Sequence, residues 1–141
     1  MFIVQSRSLF MVTAKFTYNT LCRHIAAKVV SYEELKQMIA NHNIQLYDVR
    51  QPEEVAEGRI PTSVNIPLGQ VETALKMDAG TFQETYQLQK PKRDDPNIVF
   101  QCRSGVRSAT ALETAWNLGY SKARHYKGGY IEWVEREGHC K

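Results

Sequence analysis

Apolar positions along this chain keep two rhythms, and their alternation predicts strands and helices in turn. Ser31 stands three residues before Glu34, the spacing of a capping box, and Leu35, Met38 and Ile39 follow at helical intervals. A helix over about residues 31–41 is expected, ending near Asn41 and Asn43. Ile44 to Val49 (IQLYDV) reads as a buried strand that carries Asp48 and Arg50 to its C-terminal end. Pro52 opens a short acidic helix, Glu53 to Glu57, which Gly58 stops. Ser63 to Ile66 is a second strand closed by Pro67, and residues 68–88 hold two helical stretches joined around Asp78–Gly80. After the polar connection KPKRDDPN (90–97), Ile98 to Gln101 forms a strand that runs straight into Cys102. Helical spacing resumes by Ser108 and continues to Leu118, with Ala109, Leu112, Ala115 and Trp116 on one face and Gly119 as the stop. Ala123 to Tyr126 is a last strand, and Gly128–Gly129 turns the chain into a final helix carrying Trp133. Such alternation predicts one α/β domain: a mainly parallel sheet flanked by helices on both faces.

Composition narrows the picture. A chain of 141 residues with 43% hydrophobic and 23% charged positions is a folded globular protein, too short for a two-domain enzyme. No apolar run approaches the ~20 residues that span a bilayer, so no membrane partner is expected. Three cysteines, an odd number, argue against a disulfide framework and for a reducing compartment. The net charge of +3 is unevenly placed. Residues 1–32 hold Arg7, Lys15, Arg23 and Lys28 and no acid, which leaves 14 basic against 15 acidic residues in the rest. The body therefore lacks the cationic excess of a nucleic-acid surface. Residues 1–30 are basic, hydroxyl-rich and free of acids, the composition of a mitochondrial transit peptide. A secretory signal fits less well, because Gln5 to Ser8 interrupt its apolar core, and the other reading is a disordered tail with no address. The expected organisation is a 1–30 segment followed by a 31–141 domain, in the mitochondrion or, alternatively, the cytoplasm.

In parallel sheets, ligands bind beyond the C-terminal ends of the strands. The segment there is Cys102-Arg103-Ser104-Gly105-Val106-Arg107, between a buried strand and a helix. A loop curling into a helix start turns several backbone N–H groups inward and forms a concave anion site. Gly105 permits the tight path. Cys102 at the base would lie in the field of a helix N-terminus with two arginines nearby, surroundings that favour thiolate at neutral pH. Packing alone explains an inert cysteine after a strand, but not this whole run.

Four pieces stand in order along the chain: Asp48-Val49-Arg50 after a strand; Glu54 with Gly58-Arg59-Ile60-Pro61 leading to Asn65-Ile66-Pro67; the loop Cys102 to Arg107; and Gly128-Gly129-Tyr130 with Trp133. Through them, residues 31–137 resemble the single-domain rhodanese family of sulfurtransferases. The resemblance implies that Cys102 is a nucleophile that takes the outer sulfur of thiosulfate as a persulfide. It implies that the backbone of Arg103, Ser104, Gly105, Val106 and Arg107 holds the transferred sulfur, with Arg103 and Arg107 attracting the dianionic donor. The acceptor would be a thiol, glutathione-like or on thioredoxin or another protein, or cyanide, and no metal or organic cofactor is required. Trp133, Trp116 and Tyr130 read as core or pocket wall, and the resemblance implies a place near the site rim for Trp133. Asp48 and Arg50 read as supporting residues, buried and paired, with Arg50 also able to reach Glu54.

Two rivals remain at this level. One is a sulfur-carrier or protein-interaction module that keeps the loop without turnover. The other is a cysteine phosphatase or arsenate reductase, whose loops hold one residue more than the four between Cys102 and Arg107. The chain departs from the family at Arg59-Ile60-Pro61-Thr62-Ser63, where His usually follows Gly58 and Gly-Ala usually replaces Thr62-Ser63. His125 and His139 have no ligand-like spacing with Cys140, so no metal is assigned. Cys140 reads as an idle tail thiol, with a second thiol that resolves a persulfide as the other reading; Cys22 belongs to the N-terminal segment, and Glu132, Glu135 and Glu137 read as a solvated helix face.

Overall fold

Five short strands, β1 (Val29–Val30), β2 (Gln45–Asp48), β3 (Val64–Asn65), β4 (Ile98–Gln101) and β5 (Arg124–Tyr126), pair in the order β1-β5-β4-β2-β3. Every pairing is parallel. The computed structural model describes residues 28–138, so most of the expected leader or tail with Cys22, as well as His139 and Cys140, lie outside the described residues. The helices are α1 (Tyr32–Ala40), α2 (Pro52–Glu57), α3 (Val71–Lys76), α4 (Ala79–Tyr86), α5 (Val106–Asn117) and α6 (Gly129–Glu137), with a 3-10 turn at Leu68–Gln70.

Alternation along the strands sorts the side chains into two cores. Tyr47, Ile98, Phe100 and Cys102 point to one face, where they meet Val71, Ala74 and Leu75 of α3, Phe82 of α4 and Ala111, Leu112 and Ala115 of α5. Leu46 and Val99 point to the other, against Leu35 of α1 and Trp133 of α6, together with Val30 and Ile60. Leu35, Val99 and Phe82 are wholly buried, and each such side chain contributes about 1.5–3 kcal/mol. Local signals set the helix starts. The Ser31 hydroxyl accepts the Glu34 N–H at 3.1 Å, and the Asp78 carboxylate accepts that of Thr81 at 3.2 Å.

Several expectations shift. The sheet takes in Val29 and Val30, which the composition change had left in the N-terminal segment; β1 pairs with β5, Val29 opposite His125. Two residues carry too little alternation to announce a strand. Helix α5 starts at Val106 rather than Ser108, because Gly105 in a left-handed conformation ends the loop and lets the helix begin at once. Its buried face is Ser108, Ala111, Leu112 and Ala115, while Ala109 is exposed. The acids of α6 are not simply solvated. Glu132 accepts from the Tyr126 hydroxyl at 2.6 Å, and Glu137 holds Lys36 at 2.9 Å and the Tyr32 hydroxyl, tying α6 to α1. Thr62 adopts φ 72°, a left-handed conformation that a β-branched residue takes only under strain, at the place where the resemblance expected glycine.

Candidate functional site

Cys102 follows directly on β4, and four backbone features shape what surrounds its sulfur. The Cys102 carbonyl accepts the Tyr130 N–H at 2.8 Å and the Arg103 carbonyl accepts the Ile131 N–H at 3.1 Å. With those carbonyls turned back to the start of α6, the N–H groups of the loop turn inward. The Gly105 N–H points to Cys102 Sγ at 3.1 Å and the Ser108 N–H at 3.3 Å. Gly105 (φ 92°) and Gly129 (φ 68°) make this possible, since a Cβ on either would overlap a carbonyl oxygen, Lys127's or Arg103's.

Cys102 is 1% exposed, so its sulfur sits at the floor of the loop. Burial pushes the thiol pKa up, but the Ser108 hydroxyl and the N–H groups of Ser108, Ser104 and Gly105 outweigh it, and the net shift is downward. The first turn of α5 adds the positive end of its dipole. The result is a nest of fixed donors around one sulfur, able to hold a thiolate or a negatively charged sulfur bound to it.

The two arginines of the loop stand in unlike surroundings. The Arg103 side chain is exposed and makes no ion pair or hydrogen bond among the described residues. Arg107 is instead engaged in a forked pair with Glu54, at 2.7 and 2.9 Å. Arg107 and the Gln51 N–H together hold the Glu54 carboxyl down to about 2, against the opposing effect of burial. The expected Arg50–Glu54 ion pair is thus replaced. Arg50 reaches only the Glu54 carbonyl, at 3.4 Å, and pairs with Asp48 at 2.7 Å, both side chains being almost fully buried. Arg50 also donates to the Gly58 carbonyl at 2.8 Å and stacks 4.3 Å from the Tyr130 ring. This bridge locks the end of β2 to the turn after α2 and the start of α6. Trp133 takes the first of its two readings, core, and not the rim position that the resemblance implies. It is 4% exposed, packs edge-on to Tyr32 at 5.8 Å, and belongs to the core across the sheet from Cys102 rather than to the rim.

Val106, 72% exposed, stands on the rim of the loop at the start of α5. Two residues of the neighbourhood escaped the sequence reading. Ser108 brings both an N–H and its hydroxyl to the sulfur, and its role was hidden because the sequence placed the helix start at Ser108 itself, whereas the helix begins at Val106 and puts Ser108 in its first turn. Lys127 carried no signal. Its carbonyl packs against Gly105, and its side chain lines a shallow groove of about 580 Å³ beside the loop together with Ser104 and Arg136.

Comparison with known proteins matches residues 31–136 to the family model for the rhodanese-like domain. The human thiosulfate:glutathione sulfurtransferase is 44% identical over 111 residues, covering 79% of this chain and 96% of that protein. A putative mitochondrial thiosulfate sulfurtransferase of Schizosaccharomyces pombe is 34% identical over 135 residues, covering 93% of both. Among solved structures, a human single-domain sulfurtransferase superposes with a TM-score of 0.76 at 43% identity, covering 79% of this chain and 98% of that one.

Proposed function

This chain belongs to the rhodanese-like domain family, and we propose that it acts as a sulfurtransferase, moving the outer sulfur of thiosulfate through a Cys102 persulfide to a small thiol of the glutathione kind. The observation that carries the reading is the convergence of the Gly105 and Ser108 N–H groups on one buried sulfur. In the first half-reaction the Cys102 thiolate attacks the outer sulfur of the donor, the S–S bond breaks, and sulfite leaves with the bonding pair. The negative outer sulfur of the persulfide is then held by the N–H groups of residues 103–107. An S–S bond of about 2.05 Å carries the transferable atom outward, so the acceptor need not reach the recessed Cys102 sulfur. The acceptor thiol attacks that atom, and Cys102 leaves as the thiolate that began the cycle.

Exposed Arg103 is the first attractor of the dianion, while Arg107 acts with its charge partly offset by Glu54. The acid-free N-terminal composition and the mitochondrial relative in fission yeast support a mitochondrial location. Mass spectrometry tests the central claim. Thiosulfate should add one sulfur to Cys102 with release of sulfite, and glutathione should then remove that sulfur as a glutathione persulfide. Cys102→Ser should abolish both with an unchanged circular dichroism spectrum, and a wild-type rate in that variant would sink the assignment. Charging without turnover would favour a carrier instead.

A further inference from the structure

Behind Cys102, on the side away from the loop mouth, lies a buried histidine that the sulfur-transfer scheme does not use. His125 on β5 is 8% exposed, and its Nδ1 lies 2.9 Å from the Ser108 hydroxyl oxygen. The same oxygen lies 3.6 Å from Cys102 Sγ and 3.2 Å from the Gly105 carbonyl. His125 also lines a groove of about 440 Å³ between α5 and the β1 edge, with Lys28, Glu113 and Trp116 among its walls, and this groove shares no residue with the loop 103–107.

We propose that Ser108 and His125 are positioning residues that carry the Cys102 proton to this rear groove and then hold the Ser108 hydroxyl toward the thiolate. In the thiol state the S–H donates to Ser108 Oγ, and the Ser108 O–H donates to Nδ1 of an imidazole protonated at Nε2. On transfer, sulfur keeps the bonding pair, Ser108 takes the sulfur's proton and gives its own to Nδ1, and the hydroxyl stays neutral. The thiolate now accepts from the Ser108 O–H, and that oxygen accepts from Nδ1–H. Loss of the Nε2 proton to water in the groove leaves neutral histidine in the tautomer that keeps this order. The donor anion can therefore cover the front of the nest while the proton leaves by the back.

Burial, and after it the charge of Lys127, hold the imidazole below its ordinary pKa, so it is a neutral acceptor at neutral pH. The charged groups around it are Lys127 on its own strand end, Lys28 before β1 and Glu113 on α5, while β4 presents Phe100. The proposal takes Cys102 as the nucleophile, but its test reads the thiol rather than sulfur transfer.

The rate of Cys102 alkylation by iodoacetamide, followed against pH in the full chain, reports the thiolate. Ser108→Ala should slow it about tenfold at neutral pH, the effect of losing one hydrogen bond to a charged group, and Ser108→Thr should restore it. His125→Asn keeps a polar side chain but cannot titrate, and should raise the apparent thiol pKa and remove the histidine inflection while leaving the melting temperature in place. Should either variant fail to fold, the His125 titration followed by NMR decides: its midpoint should move in Cys102→Ser relative to wild type. Superimposable alkylation profiles, or an unmoved His125 midpoint, would overturn the relay. Absence of sulfur uptake alongside a shifted thiol profile would instead count against the sulfurtransferase reading alone.

Discussion

Arg107 and Glu54 show how one contact redistributes the charge of a site. The forked pair keeps the guanidinium close to the loop but offsets its field, so in the proposed reaction Arg103 and the backbone N–H groups would be the main attraction for a dianionic donor. Removing the arginine has a second consequence, because the Glu54 carboxylate then faces the donor unpaired. Arg107→Ala is expected to raise the KM for thiosulfate roughly fivefold, the equivalent of about 1 kcal/mol of charge interaction at a partly exposed site, with a smaller effect on kcat. Adding Glu54→Gln should recover part of the loss, and added salt should narrow the gap between the single variant and wild type. Steady-state kinetics of the four proteins of this cycle check it; a double variant no better than the single one would remove Glu54 from the account. The arginine was legible as a cation of the loop. Its partner was not, since the two stand 53 positions apart and no local pattern joins α2 to α5.

At the scale of elements, the loop is the product of two anchors. Gly105 closes it against the Lys127 carbonyl, and the start of α6 takes up the carbonyls of Cys102 and Arg103. Gly105→Ala would require a left-handed backbone and a side chain in space already held by a carbonyl. The loop must then move, and the N–H that faces the sulfur moves with it. Persulfide formation is expected to slow about 100-fold, the scale of losing one fixed donor in such a nest, while circular dichroism keeps its helical signal. A variant that charges at the wild-type rate would show that this donor is dispensable. The element types were readable because each strand and helix carries its own period and punctuation. The boundary of α5 was not, because a loop residue and a first-turn residue look alike in a run such as Arg103 to Ser108.

At the scale of the whole molecule, two cores share one sheet, and its first edge is a strand of two residues. Val30 is 1% exposed and pairs opposite Tyr126, so it closes the core that holds Trp133 and Leu35. A chain beginning at Ser31 should be less stable than one beginning at Lys28 by about 2 kcal/mol, the value of one buried valine. Denaturant unfolding of the two truncations measures this directly, and equal midpoints would mean that β1 adds nothing. Such an edge escapes pattern reading because its stability comes from the neighbouring strand and not from its own residues.

The linear order of residues was enough to specify an α/β layout, a strand that ends in a cysteine, and a loop whose backbone N–H groups turn inward over it, since these follow from periodicity, glycine and chain direction within short windows. Which carboxylate meets Arg107, where Trp133 comes to rest and why His125 stands one hydroxyl from the sulfur depended on how α2, α6 and β5 pack around that strand. Those contacts join residues far apart in the chain, and their partners are chosen by shape and burial in the folded molecule.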